Sequence, residues 1–255
     1  MPLDLQAPSS PKEVKHQAAL NQPYGFADAM AYPFRGMGLY VSIGTPFVLM
    51  FVEFIGNFGI GCLWFPVLLL FWSMLVGLQF KIVRSTADGD NELPDWPEFT
   101  DFGERAMDLL AYLIIALITV GPVGIYLAIF GFRHLLTMEP SLLFWIGFVC
   151  CLWAGTALGT MAYGSGGIYD RVDVLRLPHH FLAFREMGAE AVRVTNVIFG
   201  LQTATLVVRA VLKGMSPLLG SAVSGVIFLY WFLVSPHLMG LLFRRNRQIV
   251  ERIYG

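Results

Sequence analysis

Long runs of apolar residues separated by short polar connections dominate the pattern along this chain. A helix that crosses the hydrocarbon core of a bilayer needs about 20 mostly apolar residues. The run from Gly36 to Phe80 carries Glu53 as its only charged residue and is roughly twice that length, so it is expected to fold back near Gly56 and Gly59. The pattern therefore predicts six membrane-spanning helices, at approximately residues 38–55, 60–80, 109–130, 142–163, 192–211 and 218–243.

The basic residues are distributed unevenly between the two sides of this six-span topology. Lys and Arg of short loops are retained on the cytoplasmic side of a membrane. When the amino terminus is placed in the cytoplasm, all but Arg133, Arg209 and Lys213 of the 17 basic residues fall on that side. The sequence thus predicts an amino-terminal arm (1–36), a six-span membrane domain (37–243) and a basic tail (244–255), with both termini in the cytoplasm.

The first cytoplasmic connection, residues 85–108, is acidic. It contains eight acidic residues and one arginine, with a turn expected at Asp88-Gly89. An EF-hand does not fit, because Leu93 stands where the loop glycine belongs and Phe99 stands where the bidentate glutamate belongs. We interpret the segment as a solvated loop with Trp96 and Phe99 in the membrane interface, and binding of a cation or a partner is the alternative.

The second cytoplasmic segment, residues 168–190, has the pattern of an amphipathic helix that lies along the membrane surface. Phe181, Phe184 and Met187 recur at three-residue spacing, while charged residues occupy other positions. Adjacent residues on a helix point about 100° apart, so His179 and His180 are not expected to share a metal. We interpret both as interfacial histidines.

Composition supports the membrane class and excludes others. The chain of 255 residues is 56% hydrophobic and 14% charged, with a mean hydropathy of +0.64, whereas soluble domains carry roughly 25% charged residues. A net charge of −1 provides no basic excess for nucleic acid. Cys62, Cys150 and Cys151 lie in apolar runs, which suits neither a disulfide framework nor a zinc site.

Three segments carry a resemblance to a known family. They are YPFRGMG at residues 32–38, GLQFKIVRSTADGDNELPDW at 77–96 and FREMGAEAVRV at 184–194. The combination resembles a bacterial membrane-protein family catalogued as domain of unknown function number four thousand and thirteen, over roughly residues 38–243, with the loop Leu93–Trp96 as its most specific part. The resemblance implies the bacterial inner membrane and a six-helix bundle, and it implies no activity.

Common catalytic motifs are absent from the sequence. It contains no H-E-x-x-H, no G-x-S-x-G and no phosphate-binding G-x-x-x-x-G-K-[ST]. Ser165 is the nearest approach to an activated serine, but it lies among Gly164, Gly166 and Gly167, which we interpret as ending the fourth span. The sequence therefore predicts no enzyme, no cofactor and no metal site.

A few polar residues within the apolar runs are candidates for transport or polar packing. An ionisable group inside a membrane span is costly unless it is paired or hydrated, which makes Glu53 a functional candidate, although its closeness to Asn57 and the turn also suits a place near the headgroups. Gln79, Asn196, Gln202 and His237 suit hydrogen bonds between helices better than a continuous proton path.

Small residues at four-residue spacing, Gly155 with Gly159 and Gly220 with Ser224, allow close approach of helices. We expect such faces to pack within the chain, with contact to another subunit as the alternative. Candidate partner contacts are Asp95, Trp96, Gly155 and Gly159. The leading functional hypothesis is an accessory or scaffold subunit of a membrane assembly, in contact with lipid and with other subunits or a second copy. The alternative is a small transporter or channel that uses Glu53.

Overall fold

The computed structural model describes residues 29–35, 61–90, 92–95, 102–131, 141–215 and 217–255, and within them the chain is helical with no strands. The α-helices are α1 Gly61–Asp88, α2 Phe102–Tyr126, α3 Leu142–Ile168, α4 Leu177–Met187, α5 Ala189–Met215, α6 Pro217–Arg245 and α7 Arg247–Tyr254. A π-helical turn, Leu127–Gly131, prolongs α2, and short 3-10 turns cover Tyr32–Phe34 and Arg171–Leu175.

Four of the described helical segments are long and apolar enough to cross a membrane. They are Gly103–Gly131, Leu142–Ile168, Ala189–Leu212 and Gly225–Arg245. Their outward faces carry large exposed apolar side chains such as Leu117, Leu142 and Leu206, as lipid contact requires. The all-helical class predicted from the sequence is confirmed, and these four helices are compatible with a membrane protein, whereas the predicted span at residues 38–55 lies outside the described residues.

The long helices alternate in direction around a common core. The α2 and α3 helices are antiparallel, since the Tyr126 hydroxyl donates to the Phe144 carbonyl at one end and Arg171 reaches Asp108 at the other. The α1 and α6 helices are parallel, since Gln79 contacts the Phe232 carbonyl and Thr86 contacts His237. The end of the bundle where α1, α3 and α6 finish also carries α4 and α7, and we refer to it as the capped end.

The segment before the bundle is docked at the capped end. Ala29 and Tyr32 are fully buried, and the Tyr32 ring stacks on His237 with 3.8 Å between ring centroids. The Tyr230 hydroxyl donates to the Met30 carbonyl at 2.9 Å. The carboxyl-terminal part of the predicted amino-terminal arm is therefore packed against α6.

The acidic connection is shorter than predicted, because both flanking helices extend into it. The α1 helix continues to Asp88 and α2 begins at Phe102, which leaves residues 89–101 between them rather than 85–108. Hydrophobicity underestimates the length of these helices because the end of α1 and the start of α2 bury polar side chains, among them Thr86 and Asp108, both fully buried. Tertiary hydrogen bonds replace water for those groups.

The prediction that glycines end the fourth span near Ser165 was wrong. The α3 helix continues through Gly164, Gly166 and Gly167 to Ile168. A Cβ at these glycines would approach Phe243, Val174 and Val83 to within 2.2–2.8 Å, so the glycines provide space for neighbouring side chains instead of a turn. Ser165 is fully buried and donates to the Ala162 carbonyl.

Of the apolar face predicted for residues 168–190, Phe181 is exposed and Met187 is buried in the protein, and the location of this helix at a membrane surface stays a prediction. The segment divides into the 3-10 turn Arg171–Leu175 and α4, and the buried positions of α4 are His180, Ala183 and Met187, whereas Phe181 is 65% exposed. The cause is tertiary, because α3 and α7 pack on the histidine side of α4. The predicted apolar face is thus partly turned away from the protein.

Gly155 and Gly159 lie in the interface between α3 and α2. A Cβ on Gly155 would be 1.9 Å from the Thr119 carbonyl oxygen, and one on Gly159 would be 2.1 Å from the Thr119 hydroxyl oxygen. This glycine pair packs within the chain, as expected. Both glycines contact α2 and are therefore not available to contact another subunit.

We predict that Gly155→Ala destabilises the bundle by about 1–3 kcal/mol, because the added methyl group meets a backbone carbonyl that must move. The matched control is Gly124→Ala in α2, where no atom lies within 4 Å of the added Cβ and the gain in helix propensity is retained. Thermal unfolding of the two variants in detergent measures the difference. Equal melting temperatures would contradict the assigned interface.

Candidate functional site

A cavity of about 240 Å³ lies inside the bundle, between α1, α2, α3, α5 and α6. Thr156, Gln202 and Trp231 line it, and each lies at or next to the middle residue of its helix. If these helices cross a bilayer, the cavity is near the bilayer midplane. Ile115 and Ile198 contribute apolar wall, so the site combines a hydrophobic lining with a few polar groups.

One wall of the cavity is organised by a proline. Pro236 lies inside α6 and has no N–H, so the carbonyl of Phe232, four residues earlier, lacks its helical donor. Gln79 of α1 provides the replacement, since its Nε2 donates to the Phe232 carbonyl at 3.0 Å. The Tyr163 hydroxyl of α3 donates to Gln79 Oε1 at 2.6 Å. The Gln79 side chain thus connects three helices beside the cavity.

The threonine hydroxyls around the cavity direct their protons to their own helices. Thr119, Thr156 and Thr160 donate to carbonyls four residues earlier, at 2.8–2.9 Å. These hydroxyl oxygens keep only acceptor capacity toward the cavity. A second proline, Pro122, lies in α2 three residues after Thr119, so α2 and α6 each contain an internal proline close to the cavity.

Two polar atoms of the lining have no partner in the described part of the chain. They are Trp231 Nε1 and Ser235 Oγ, both without solvent exposure as atoms. Ser235 as a residue is only 2% exposed. A buried polar atom left unpaired costs free energy, so these two atoms are an unfavourable feature of the wall, but neither is accessible from the cavity itself.

The lining is electrically neutral. Among the described residues that form the cavity wall there is no Asp, Glu, Lys, Arg or His. The nearest charges belong to a buried cluster toward the capped end, where Asp108 accepts from Arg171 Nε at 2.6 Å and from Arg105 Nη1 at 2.8 Å. These charges compensate each other, so the cavity carries no uncompensated charge from them.

The ionic cluster is joined to the cavity through aromatic rings. The Arg171 guanidinium lies 4.1 Å from the centroid of the Phe80 ring, and Phe80 stacks on Tyr163 at 4.6 Å. Arg171 also donates to the Gly166 carbonyl. The sequence reading placed Arg105 and Arg171 among solvated loop residues and missed this cluster. The spacing of Arg105 and Asp108, three residues apart at a helix start, was the available signal.

The structure separates the residues that the sequence proposed as one polar group. Gln202 lines the cavity, whereas His237 does not and is 2.9 Å from the Thr86 hydroxyl, between α6 and α1. Gln79, Asn196 and His237 all make hydrogen bonds between helices, as predicted. Glu53, Asn57 and Trp96 lie outside the described residues, and Asp95 is exposed.

His180 is a structural contact rather than an interfacial histidine. It is fully buried, with Nε2 at 3.1 Å from the Val174 carbonyl and Nδ1 at 2.9 Å from the Tyr254 hydroxyl. Because a carbonyl only accepts, Nε2 carries the proton of the neutral ring and Nδ1 accepts from Tyr254. The predicted basic tail is thereby held against α4, with a further ion pair between Arg252 and Glu186.

No family model, curated protein or solved structure matches the chain. The resemblance described from the three sequence segments therefore stays a prediction.

We predict a measurable coupling between Gln79 and Pro236. Replacing Gln79 with Leu leaves the Phe232 carbonyl and the Tyr163 hydroxyl unpaired, which is expected to cost about 1–3 kcal/mol for each group. Pro236→Ala restores an N–H for the Phe232 carbonyl, so the cost of Gln79→Leu is expected to be smaller in the Pro236→Ala background. Thermal unfolding of the parent, both single variants and the double variant gives the coupling, and strictly additive effects would contradict the bridge.

We also predict that acidification loosens the contact between α7 and α4. Burial lowers the pKa of His180 below its ordinary value of 6.5, and the Val174 hydrogen bond opposes this only in part. The unfolded chain therefore takes up the proton first, and the stability from neutral His180 is present above about pH 6.5 and lost as the pH falls. After correction for the slower intrinsic exchange at lower pH, the protection factors of the α7 amides should fall between about pH 7.5 and about pH 5.

The variant His180→Gln should remove most of that pH dependence, whereas His179→Gln, which changes the neighbouring histidine outside the Tyr254 hydrogen bond, should keep it. If the protection factors of the α7 amides in the parent are equal at the two pH values, His180 does not control this contact.

Proposed function

We propose that this chain is a multi-pass membrane protein that binds a small solute inside its helical bundle and moves it across the membrane. The observation that carries the proposal is the 240 Å³ cavity at the middle of the long helices, whose mostly apolar lining includes the polar residues Tyr112 and Gln202. Transporter sites commonly lie near the bilayer midplane where helices are interrupted. Pro122 and Pro236 provide such interruptions beside the cavity.

The six-span topology is part of the proposal. Tyr32 lies at the capped end, against His237, while α1 begins at Gly61 at the opposite end, which supports one further crossing before α1. The basic residues favour a cytoplasmic capped end in a bacterial inner membrane, with both termini on that side. The outward Phe181 and Leu177 of α4 suit contact with the membrane surface.

The described structure supports the transport hypothesis and the scaffold hypothesis to different degrees. Transport gains a cavity that Gln202 lines and His237 does not, while the other two residues of that hypothesis, Glu53 and Asn57, lie outside the described residues. The accessory or scaffold hypothesis gains no specific surface, since Gly155 and Gly159 pack internally, and it stays a prediction. In this proposal the cavity binds a small solute and does not catalyse a reaction.

We predict that filling the cavity abolishes solute movement. Ala116 lines the cavity, and Ala116→Phe would place a ring in it, whereas the neighbouring Leu117 is 75% exposed on the outer surface and Leu117→Phe adds the ring there. The measurement is uptake into proteoliposomes of a panel of labelled neutral, cationic, anionic and apolar solutes. At least one solute should enter faster than into protein-free vesicles, with a loss of about tenfold or more in Ala116→Phe alone.

A panel in which no solute enters faster or binds, or in which Ala116→Phe equals the parent, would contradict the proposed function. Thermal unfolding of Ala116→Phe verifies that a loss of uptake does not reflect a loss of fold.

We predict that the capped end faces the cytoplasm. In a background without native cysteines, a cysteine at Asp90 should resist a membrane-impermeant thiol reagent applied to intact cells, and a cysteine at Met138 should react. The physical reason is the retention of basic residues on the cytoplasmic side. The opposite labelling pattern would invert the topology.

A further inference from the structure

The cavity reaches the outer surface of the bundle on one side. A residue that lines a cavity and is also strongly exposed indicates where that cavity opens. Val120 of α2 meets both conditions, since it lines the cavity and is 58% exposed. Tyr112 and Ala116 of α2 and Gln202 of α5 also line the cavity, and each of the three is partly exposed. The mouth of the cavity therefore lies between α2 and α5.

The spacing of the α2 residues gives the shape of this mouth. Tyr112, Ala116 and Val120 are four residues apart, so they form one row along α2 that is about 12 Å long. The α2 helix packs chiefly against α3, and α5 packs chiefly against α6. The mouth is thus a lateral slot between two helices, with this row on one side and Gln202 on the other.

The slot lies near the middle of the long apolar segments. Val120 is three positions from the centre of the segment Gly103–Gly131, and Gln202 is within two positions of the centre of Ala189–Leu212. These offsets are at most about 5 Å along the helix axis, whereas half the hydrocarbon thickness of a bilayer is about 15 Å. In the proposed membrane arrangement the slot therefore opens to hydrocarbon.

Two hydrogen-bonding side chains lie at the slot. The hydroxyl of Tyr112 and the amide of Gln202 make no hydrogen bond within the described part of the chain. Unlike the enclosed atoms of Trp231 and Ser235, they remain accessible. Hydrocarbon offers no partner to such groups, and leaving them unpaired costs free energy. A molecule that carries a polar group into the slot would provide the partner.

The volume of the cavity limits the size of its occupant. At about 240 Å³ the cavity exceeds the ~150 Å³ space that holds benzene in a protein interior. A single ring with a short substituent, or a chain of similar size, fits this space, whereas a whole phospholipid does not. Ile115, Ile198 and Phe232 provide apolar wall for such a hydrocarbon body.

We infer that the cavity binds a small lipid-soluble alcohol or phenol, which enters from the bilayer through the slot between α2 and α5. The hydrocarbon body lies in the cavity, and the hydroxyl group bonds to Gln202 and Tyr112. A hydroxyl both donates and accepts, as do the amide of Gln202 and the hydroxyl of Tyr112. The inference rests on the proposed function, of which it names the solute class and the route of entry.

The test is photolabelling of the full chain in lipid nanodiscs. The probe is a hexanol with a diazirine group on its chain, and the labelled residues are identified by mass spectrometry. Ile115 and Ile198 line the cavity and are 4% and 1% exposed, so their labelling reports a probe inside the bundle. This labelling should saturate with probe concentration. Labelling of Leu117, which is 75% exposed on the outer surface, should rise without saturation.

Substitutions at the slot test the polar contacts. Gln202→Leu and Tyr112→Phe each remove a hydrogen-bonding group with little change in volume, and each should raise the half-saturating probe concentration about tenfold. Gln202→Asn keeps an amide and should bind better than Gln202→Leu. The matched control is Thr203→Val, at an exposed neighbouring position outside the described cavity wall, which should equal the parent. Thermal unfolding verifies that each variant is folded.

Competition with unlabelled molecules tests the solute class and the route. Benzyl alcohol should displace the probe from Ile115 and Ile198. Toluene has the same ring without a hydroxyl, and at equal concentration in the membrane about tenfold more of it should be needed. Erythritol, choline and lactate remain in the water and should leave the labelling unchanged.

The outcomes separate this inference from the proposed function. Better displacement by erythritol, choline or lactate than by benzyl alcohol would overturn the solute class and the bilayer route and leave the proposed function in place. Equal displacement by toluene, or parent-level labelling in Gln202→Leu and Tyr112→Phe, would overturn the role of the polar groups. Labelling of Ile115 and Ile198 that does not saturate would overturn the inference as a whole.

The proposed function has its own outcome. Saturable labelling of the cavity wall, combined with no accelerated entry of any solute into proteoliposomes, would overturn movement across the membrane and support the binding site.

Discussion

A carbonyl group that loses its helical donor inside a membrane bundle must obtain another one from the protein, because hydrocarbon offers none. Pro236 creates this demand at the Phe232 carbonyl, and Gln79 meets it from α1. The bond fixes the height of α1 against α6 and orients the Gln79 amide, which in turn receives the Tyr163 hydroxyl from α3. The cavity wall, and the register of three helices around it, depend on this single chain of hydrogen bonds.

Close packing on the other side of the cavity has a different origin. Gly155 and Gly159 allow α3 to approach Thr119 of α2, a contact too close for any side chain. Gly77 of α1 similarly leaves room for Arg105, whose guanidinium occupies the space of a Cβ. Small residues thus bring the helices together while Pro122 and Pro236 locally interrupt the hydrogen-bond pattern. A cavity at mid-depth is a consequence of both effects acting at similar heights.

Charge is segregated in a way that matches the proposed function. The described cavity wall is neutral, whereas the capped end contains the Asp108 cluster and the ion pairs of α7. Phe80 and Tyr163 stand between the cluster and the cavity in the sequence of contacts. Among the described residues, the charged groups of the Asp108 cluster and of α7 thus form ion pairs at the capped end, apart from the cavity wall.

The sequence by itself determined the helical membrane class, the approximate positions of the described long helices and the asymmetry of basic residues. These properties depend on local hydrophobicity and on side-chain charge, which neighbours along the chain reveal. Hydrogen bonding between helices by Gln79, Asn196 and His237 was also predictable, since isolated polar groups in apolar helices need partners. The partner of each group was not predictable, because two of the pairs are far apart in the sequence: Gln79 and Phe232 are separated by 153 positions, and Thr86 and His237 by 151.

Only the tertiary structure decided the phase of α4, the role of the glycines around Ser165 and the existence of the cavity. Phe181 has a more apolar side chain than His180, yet His180 is buried because Tyr254 and the Val174 carbonyl meet it there. From the local sequence alone, the glycines of α3 suggest the end of a helix. In the structure they leave room for Phe243 and Val83, which approach α3 closely. A cavity is formed by five helices together, so no single stretch of the sequence reveals it.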